Sequence, residues 1–254
     1  PYIVAGQGTL GLEILEQIDK PDFVIGSIGG GGMMAGVGIV MKALSPETQM
    51  VAAQAQYPSP MVQALRSGQF KKMDVRTFAD GVAISTASRA MYAILKKVID
   101  RALAIPDEAT AHALLVLLER GKMLVEGSGA LPLAAVDAMR SRLRGKKVVL
   151  ILSGGNIDLT LLGRMIERGL ITAGRRLRLN VKISDRPGSL HRLTGVIAQA
   201  GANIIQAIHD RSEPFTKMDE TGVELTLETK GADHSRKIIE DLTRHCLRVQ
   251  VFDR

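Results

Sequence analysis

Along the first two-thirds of the chain, apolar residues switch repeatedly between helical and strand-like spacing, the pattern of a sheet whose strands are separated by helices. Leu12, Leu15 and Ile18 recur at helical spacing over 8–18, after an opening Pro1-Tyr2-Ile3-Val4-Ala5-Gly6 that reads as a loop already in progress and suggests a fragment. Residues 22–28 form a short apolar strand that runs straight into Gly29-Gly30-Gly31-Gly32 and then a helix over 33–44. A second strand is expected over 49–55 and a short helix over 60–67, while 74–79 has no dominant period. Two long amphipathic helices are predicted over 88–104 and 107–121, with Pro106 and Asp107 as break and cap. A helix over 129–140 leads into Lys147-Val148-Val149-Leu150-Ile151-Leu152, an unbroken apolar run that predicts a fully buried strand. The turn Ser153-Gly154-Gly155-Asn156 follows, then a helix over 158–168 that ends at Gly169. The expected architecture is an α/β fold, an open and mostly parallel sheet with helices on both faces.

The pattern changes after a basic linker at 170–176. A strand over 177–184, a helix over 189–200, strands over 203–211 and 222–229, a helix over 232–244 and a strand over 247–252 give the order β-α-β-β-α-β. That order predicts a second, smaller α+β domain of ferredoxin-like type.

Composition narrows the picture. Aromatics are only 3% with no Trp, while Gly (26) and Met (11) are plentiful, so the cores must be packed from aliphatic and thioether side chains. The net charge of +7 suggests a polyanion partner until its location is considered. Arg140, Arg142, Arg144, Lys146 and Lys147 close a predicted helix, where cations suit the negative dipole end. No aromatics interleave with them as stacking platforms, so no nucleic-acid partner is expected. The single cysteine, Cys246, has no partner for an intrachain disulfide and fits a reducing compartment; with no run of membrane-spanning length, a cytoplasmic location and no membrane partner are expected.

Four consecutive glycines between a strand and a helix cost backbone entropy, and what they offer in return is a turn whose N–H groups can crowd around an anion at the helix's positive end. The alternative is a flexible turn. Gly30, Gly32 and Ala35 formally satisfy a dinucleotide fingerprint, yet the next strand ends in Gln54-Ala55-Gln56 with no carboxylate to hold a ribose hydroxyl. A nucleotide is therefore the weaker reading of the phosphate compound. At the carboxyl end of the 147–152 strand, Ser153 offers a hydroxyl that could meet a heteroaromatic nitrogen.

Taken in order, Gly29-Gly30-Gly31-Gly32-Met33-Met34-Ala35-Gly36, Ala79-Asp80-Gly81-Val82-Ala83, Glu126-Gly127-Ser128-Gly129-Ala130 and Ser153-Gly154-Gly155-Asn156 resemble motifs of the threonine/serine dehydratase family of pyridoxal-phosphate enzymes, with Gly6-Gln7-Gly8-Thr9 resembling the segment just upstream. The resemblance covers about residues 1–170. It implies that 1–172 is the C-terminal part of a catalytic domain with the tryptophan-synthase-β-like fold. Gly29, Gly30, Gly31, Gly32 and the Met33 amide would bind the cofactor phosphate, Ser153 would face the pyridine nitrogen, Gly81 would lie near the ring and Glu126 close to the cofactor or substrate. A neutral hydroxyl opposite that nitrogen leaves the ring a weaker electron sink than a carboxylate would, which favours loss of a β-hydroxyl over transamination. In this family the lysine that holds the cofactor lies in a Ser-x-Lys-x-Arg-like setting in the N-terminal half. Lys96-Lys97 and Lys146-Lys147 have no such setting, so the chain by itself is expected not to catalyse.

No metal is expected: His112, His191, His209, His234 and His245 lack paired ligand spacing and read as satisfied structural or surface residues. Some relatives in the family hold a divalent cation through an acidic residue after the second strand, where this chain has Gln54. The C-terminal part, 177–254, resembles the ACT family of amino-acid-sensing domains through Asp185-Arg186-Pro187-Gly188-Ser189-Leu190 and Gly201-Ala202-Asn203-Ile204. This implies effector binding at Gly188, Leu190 and Asn203, and a homo-oligomer built through edge strands. The function expected is deamination of threonine to 2-oxobutanoate and ammonia, with serine as lesser substrate, under control of an amino-acid effector. The alternatives are an amino-acid racemase and a ligand-sensing oligomerisation module without catalysis.

Overall fold

The computed structural model describes residues 1–155, 159–210, 219–245 and 248–252. The chain divides into two compact units, Pro1–Gly169 and Leu170–Arg254. In the first, strands β1 (Phe23–Ser27), β2 (Gln49–Ala55), β3 (Arg101–Ile105) and β4 (Val148–Ile151) form a parallel sheet in the order β3-β2-β1-β4. Every residue of the central β1 is buried.

Helices cover both faces because successive strand residues point to opposite sides. On one face, Val24, Met50 and Ala52 pack against α1 (Tyr2–Gln17), α2 (Gly32–Leu44), α3 (Pro60–Ser67) and α4 (Arg89–Val98). Met34, Met41, Met50 and Met61 are fully buried there, so thioethers fill the space that rings occupy in other cores. On the other face, Phe23, Ile25, Val51 and Ala53 pack against α5 (Asp107–Val116), α6 (Gly127–Ala138), α7 (Arg140–Leu143) and α8 (Leu159–Thr172).

Four details differ from the sequence pattern. Residues 2–7 are helical rather than looped, and α1 carries Gly8 and Gly11 where it crosses α2; a Cβ on Gly11 would lie 2.9 Å from Val40 Cβ. Close approach of two helices thus outweighs the low helix propensity of glycine. The helix expected over 88–104 stops at Val98, and Arg101–Ile105 is instead strand β3, in register with Val51–Ala55. Asp100 sets that break by accepting from the Met50 amide at 2.6 Å and from Lys42 Nζ at 2.7 Å. β4, expected fully buried, lies at the sheet edge with Val148, Val149 and Leu150 half-buried. Finally, α8 runs through Gly169 to Thr172, because a Cβ at Gly169 would meet the Ala111 carbonyl at 2.8 Å and its absence lets α8 seat on α5. α5 itself continues as a π turn, Leu117–Gly121, closed by Lys122 at φ 54°.

In the second unit, β5 (Arg176–Ser184), α9 (Ser189–Gln199), β6 (Asn203–Asp210), β7 (Glu220–Glu228), α10 (Ala232–Arg244) and β8 (Arg248–Val251) give an antiparallel sheet in the order β6-β7-β5-β8. Alternate residues Leu177, Leu179, Val181 and Ile183 of β5 form a core with Leu193, Ile197, Ile238 and Leu242 from the two helices. His234 ties the helices together, its Nδ1 accepting from the Lys230 amide at 3.1 Å and its Nε2 2.7 Å from the Ala200 carbonyl. His112, expected to be satisfied, leaves a buried Nδ1 without a partner among the described residues. Asn156 and Cys246 lie outside the described residues. Among the described residues, no helix is long and apolar enough to cross a membrane.

Candidate cofactor site

The parallel sheet reverses its winding direction between β1 and β4: successive strands step away from β1 through β2 and β3, and the chain then returns to the other side. Ligands of open α/β sheets bind at the carboxyl ends of the strands at such a point. The glycine run follows β1 and Ser153 follows β4, so the fold brings both to this crevice.

The glycine run is shaped by what surrounds it. Gly31 is the N-cap of α2 at φ 93°, a left-handed conformation that side chains resist, and a Cβ there would lie 2.6 Å from Leu95 Cδ1. A Cβ at Gly30 would meet nothing within 4 Å, so this residue faces open space. Among the described residues, the amides of 29–34 donate to no backbone carbonyl, whereas Ala35 N already donates to Gly31 O at 2.9 Å. Free amides at the start of a 13-residue helix are what a phosphate dianion requires.

Three further segments close around the run. A Cβ at Gly29 would lie 2.7 Å from the Gly81 carbonyl, which places the turn Asp80–Val82 directly against it. A Cβ at Gly81 would in turn strike the Glu126 carboxylate, and one at Gly154 would lie 2.6 Å from Glu126 Oε1. Glu126, the N-cap of α6, donates its amide to Gly154 O at 3.1 Å and accepts at Oε1 from the Ser128 hydroxyl. Gly129 abuts the Ser153 carbonyl. Ser153 is half-buried and its hydroxyl makes no hydrogen bond to the described residues. Gly29, Gly81, Glu126 and Ser153 are thus gathered at one end of the sheet, and the contact points among these segments are glycines.

Other expected residues fare differently. Gln54 Oε1 accepts from the Met61 and Val62 amides at 3.1 and 3.2 Å, so it satisfies the start of α3 from the end of β2; its Nε2 is buried without a partner among the described residues. In the second unit, Gly188 and Leu190 share a cavity of about 260 Å³ with Asp185, Arg186 and His209. Asn203 is not part of it. It aligns through Glu228 with Arg176, the first residue of β5, while Gly188 follows that strand's last residue, so about 25 Å of strand lies between them.

Sequence reasoning missed Thr77 and read Asp107 as a helix cap; in the structure Pro106 is the N-cap of α5 and the Asp107 side chain bonds to Thr77 instead. Thr77 donates to Asp107 Oδ1 at 2.8 Å and accepts from the Ala79 amide at 3.1 Å, fastening the segment that leads to Gly81. Burial raises the Asp107 carboxyl above its ordinary value, opposed by the hydrogen bonds from Thr77 and the Phe78 amide. The signal available in the sequence was a threonine two residues before Ala79, a spacing suited to a side-chain turn.

The fold is an open α/β sheet with a glycine-rich helix entry at the strand ends where such sheets bind ligands. The chain belongs to the pyridoxal-phosphate dependent enzyme family, whose profile matches residues 1–154; the ACT domain profile matches 177–244. The chain is 36% identical over 239 residues to the L-threonine ammonia-lyase of Thermotoga maritima, covering 94% of this chain and 59% of that protein. It is similar to the crystal structure of the T.th. threonine deaminase (TM-score 0.58, 38% identity, 61% of this chain and 59% of that one). It is also similar to serine racemase from Dictyostelium discoideum (TM-score 0.57, 34% identity, 61% and 51%). The chain spans 46–60% of the length of the curated relatives it matches.

Proposed function

We propose that the first unit supplies the phosphate-binding and ring-facing side of a threonine ammonia-lyase, which converts L-threonine to 2-oxobutanoate and ammonia, with L-serine to pyruvate as the lesser reaction. The observation that carries this reading is the convergence of the glycine run, Gly81, Glu126 and Ser153 at the β1/β4 crevice. It is supported by identity to ammonia-lyases along 94% of the chain. When bound, pyridoxal phosphate contributes an electron-withdrawing ring able to stabilise charge developing at the substrate Cα. Gly29 to Gly32 and the Met33 amide neutralise the phosphate with the positive end of α2. Ser153 would offer a neutral hydroxyl to the cofactor's ring nitrogen, and Glu126, held by Ser128 and Gly154, would line the site beside the cofactor or substrate.

The second unit is read as an amino-acid sensor. Gly188 and Leu190 would receive an effector, and Asn203, at the far end of edge strand β6, would reach such a site only from a second copy, which supports a homo-oligomer. A cytoplasmic location is supported by the lone cysteine in the sequence.

The test is to titrate the chain with pyridoxal phosphate by equilibrium dialysis, then to assay threonine turnover with the region its relatives carry beyond the match supplied. The expected outcome is stoichiometric cofactor binding and release of 2-oxobutanoate. Accumulation of a D-amino acid instead would assign the racemase reading that the Dictyostelium structure keeps in view. Failure to bind the cofactor would leave only the sensing module.

A further inference from the structure

The turn that carries Gly81 is short, and local backbone bonds hold it: Asp80 N to Phe78 O, Val82 N to Ala79 O, Ala83 N to Asp80 O and Ile84 N to Val82 O, at 2.9–3.1 Å. Those bonds define its shape. They do not set its position between the glycine run and Glu126, which needs an anchor outside the turn. Phe78, just before it, lies against Gly127, where a Cβ would be 2.9 Å from Phe78 Cδ2. The directional anchor is polar: Asp107 at the start of α5 accepts from Thr77 Oγ1, the Phe78 amide points to the same carboxylate, and Thr77 Oγ1 accepts from the Ala79 amide. A relay therefore runs from the end of β3 through Asp107, Thr77 and Ala79 to Gly81, whose neighbours are Gly29 and Glu126.

We propose that Asp107 is a positioning residue of the cofactor crevice, acting through Thr77 to fix the Asp80–Val82 turn against the glycine run. This rests on the phosphate-site reading of that run, but the latch itself exists without any ligand. The charged groups around Asp107 are Glu108 on its own helix and Arg168 on α8; Arg168 Nη2 lies 3.5 Å from Glu108 Oε1, so that pair largely cancels, and what acts on the carboxyl is burial first and then the hydrogen bonds from residues 77 and 78. A carboxylate accepting a hydroxyl and an amide makes stronger bonds than neutral partners do.

The experiment uses the whole chain with T77V, T77S and D107N, read in two ways. Amide hydrogen exchange without ligand is expected to accelerate about tenfold or more at residues 79–84 in T77V, less in D107N, and to return toward wild type in T77S, which restores the hydroxyl. Equilibrium dialysis is expected to show pyridoxal phosphate binding weakened about tenfold in T77V and recovered in T77S. Unchanged exchange in T77V overturns the latch. Faster exchange with unaltered cofactor affinity overturns the positioning role. A wild-type chain that binds no pyridoxal phosphate overturns the positioning role together with the phosphate-site reading, and is told apart from failure of the latch because the exchange pattern still separates T77V from T77S. Should T77V fail to fold, the exchange difference between D107N and wild type decides.

Discussion

Two helices in this protein begin in the same way and meet different fates. α2 starts from Gly31 at φ 93° and ψ −1°, and α9 from Gly188 at φ 84° and ψ −8°, so each has a left-handed glycine cap with helical amides turned outward. Gly31 is buried against Leu95, whereas a Cβ on Gly188 would meet nothing within 4 Å. Identical local backbone therefore yields an enclosed cradle in one unit and an open rim in the other. The conformation turns the first helical amides outward, and the packing decides how demanding the position is.

Substitution is the direct way to break the comparison. Gly31→Ala combines left-handed strain with intrusion on a fully buried leucine, and should cost about 2–4 kcal/mol in denaturant unfolding of the first unit, with loss of cofactor binding. Gly188→Ala carries only the backbone strain, about 1–2 kcal/mol, and should lower the melting of the second unit while leaving the first unchanged. If the two variants destabilise equally, surroundings are not what distinguishes the caps.

Smaller effects concern two carboxylates that shift in opposite senses. The Lys147 amide, followed by Lys146, holds Asp22 below its ordinary value, through bonds of 2.8 and 3.0 Å. Its contribution is present above the unfolded value of 3.8 and is lost as pH falls through the lower folded value. Asp107 is raised by burial, so the folded state binds its proton more readily. Between 3.8 and the raised folded value, stability therefore declines as pH increases. Chemical unfolding from pH 3 to 7 should show D22N losing part of the acid-side fall in stability, and D107N losing the opposing slope. The same sign in both variants would contradict the assignment.

Much of this was legible in the sequence, for reasons that particular residues make clear. The 22–28 strand and the glycines after it announce themselves because strand and turn chemistry are local. β3 was hidden because Leu95, Val98, Ile99, Ala102 and Leu103 keep helical spacing across the break; only pairing with β2 and the Asp100 bonds to residues 42 and 50 reveal it. The motifs were readable one by one, but the contacts that bring them together set glycines against backbone atoms and against the Glu126 carboxylate from distant segments, which no spacing encodes. Asp107 read as a helix cap, and its bond to Thr77 spans thirty positions, so its larger task was invisible. Gly188, Leu190 and Asn203 looked like one set in sequence because strands that are neighbours along the chain can present opposite ends.

The buried methionines beneath the glycine loop also make the first unit its own recorder. Peroxide converts a thioether to the sulfoxide only where it can reach the sulfur, and Met34, Met41, Met50 and Met61 are fully enclosed while Met123 is 44% exposed. Mass spectrometry after a brief peroxide pulse would therefore date each opening of the layer around α2, with Met123 as the internal clock.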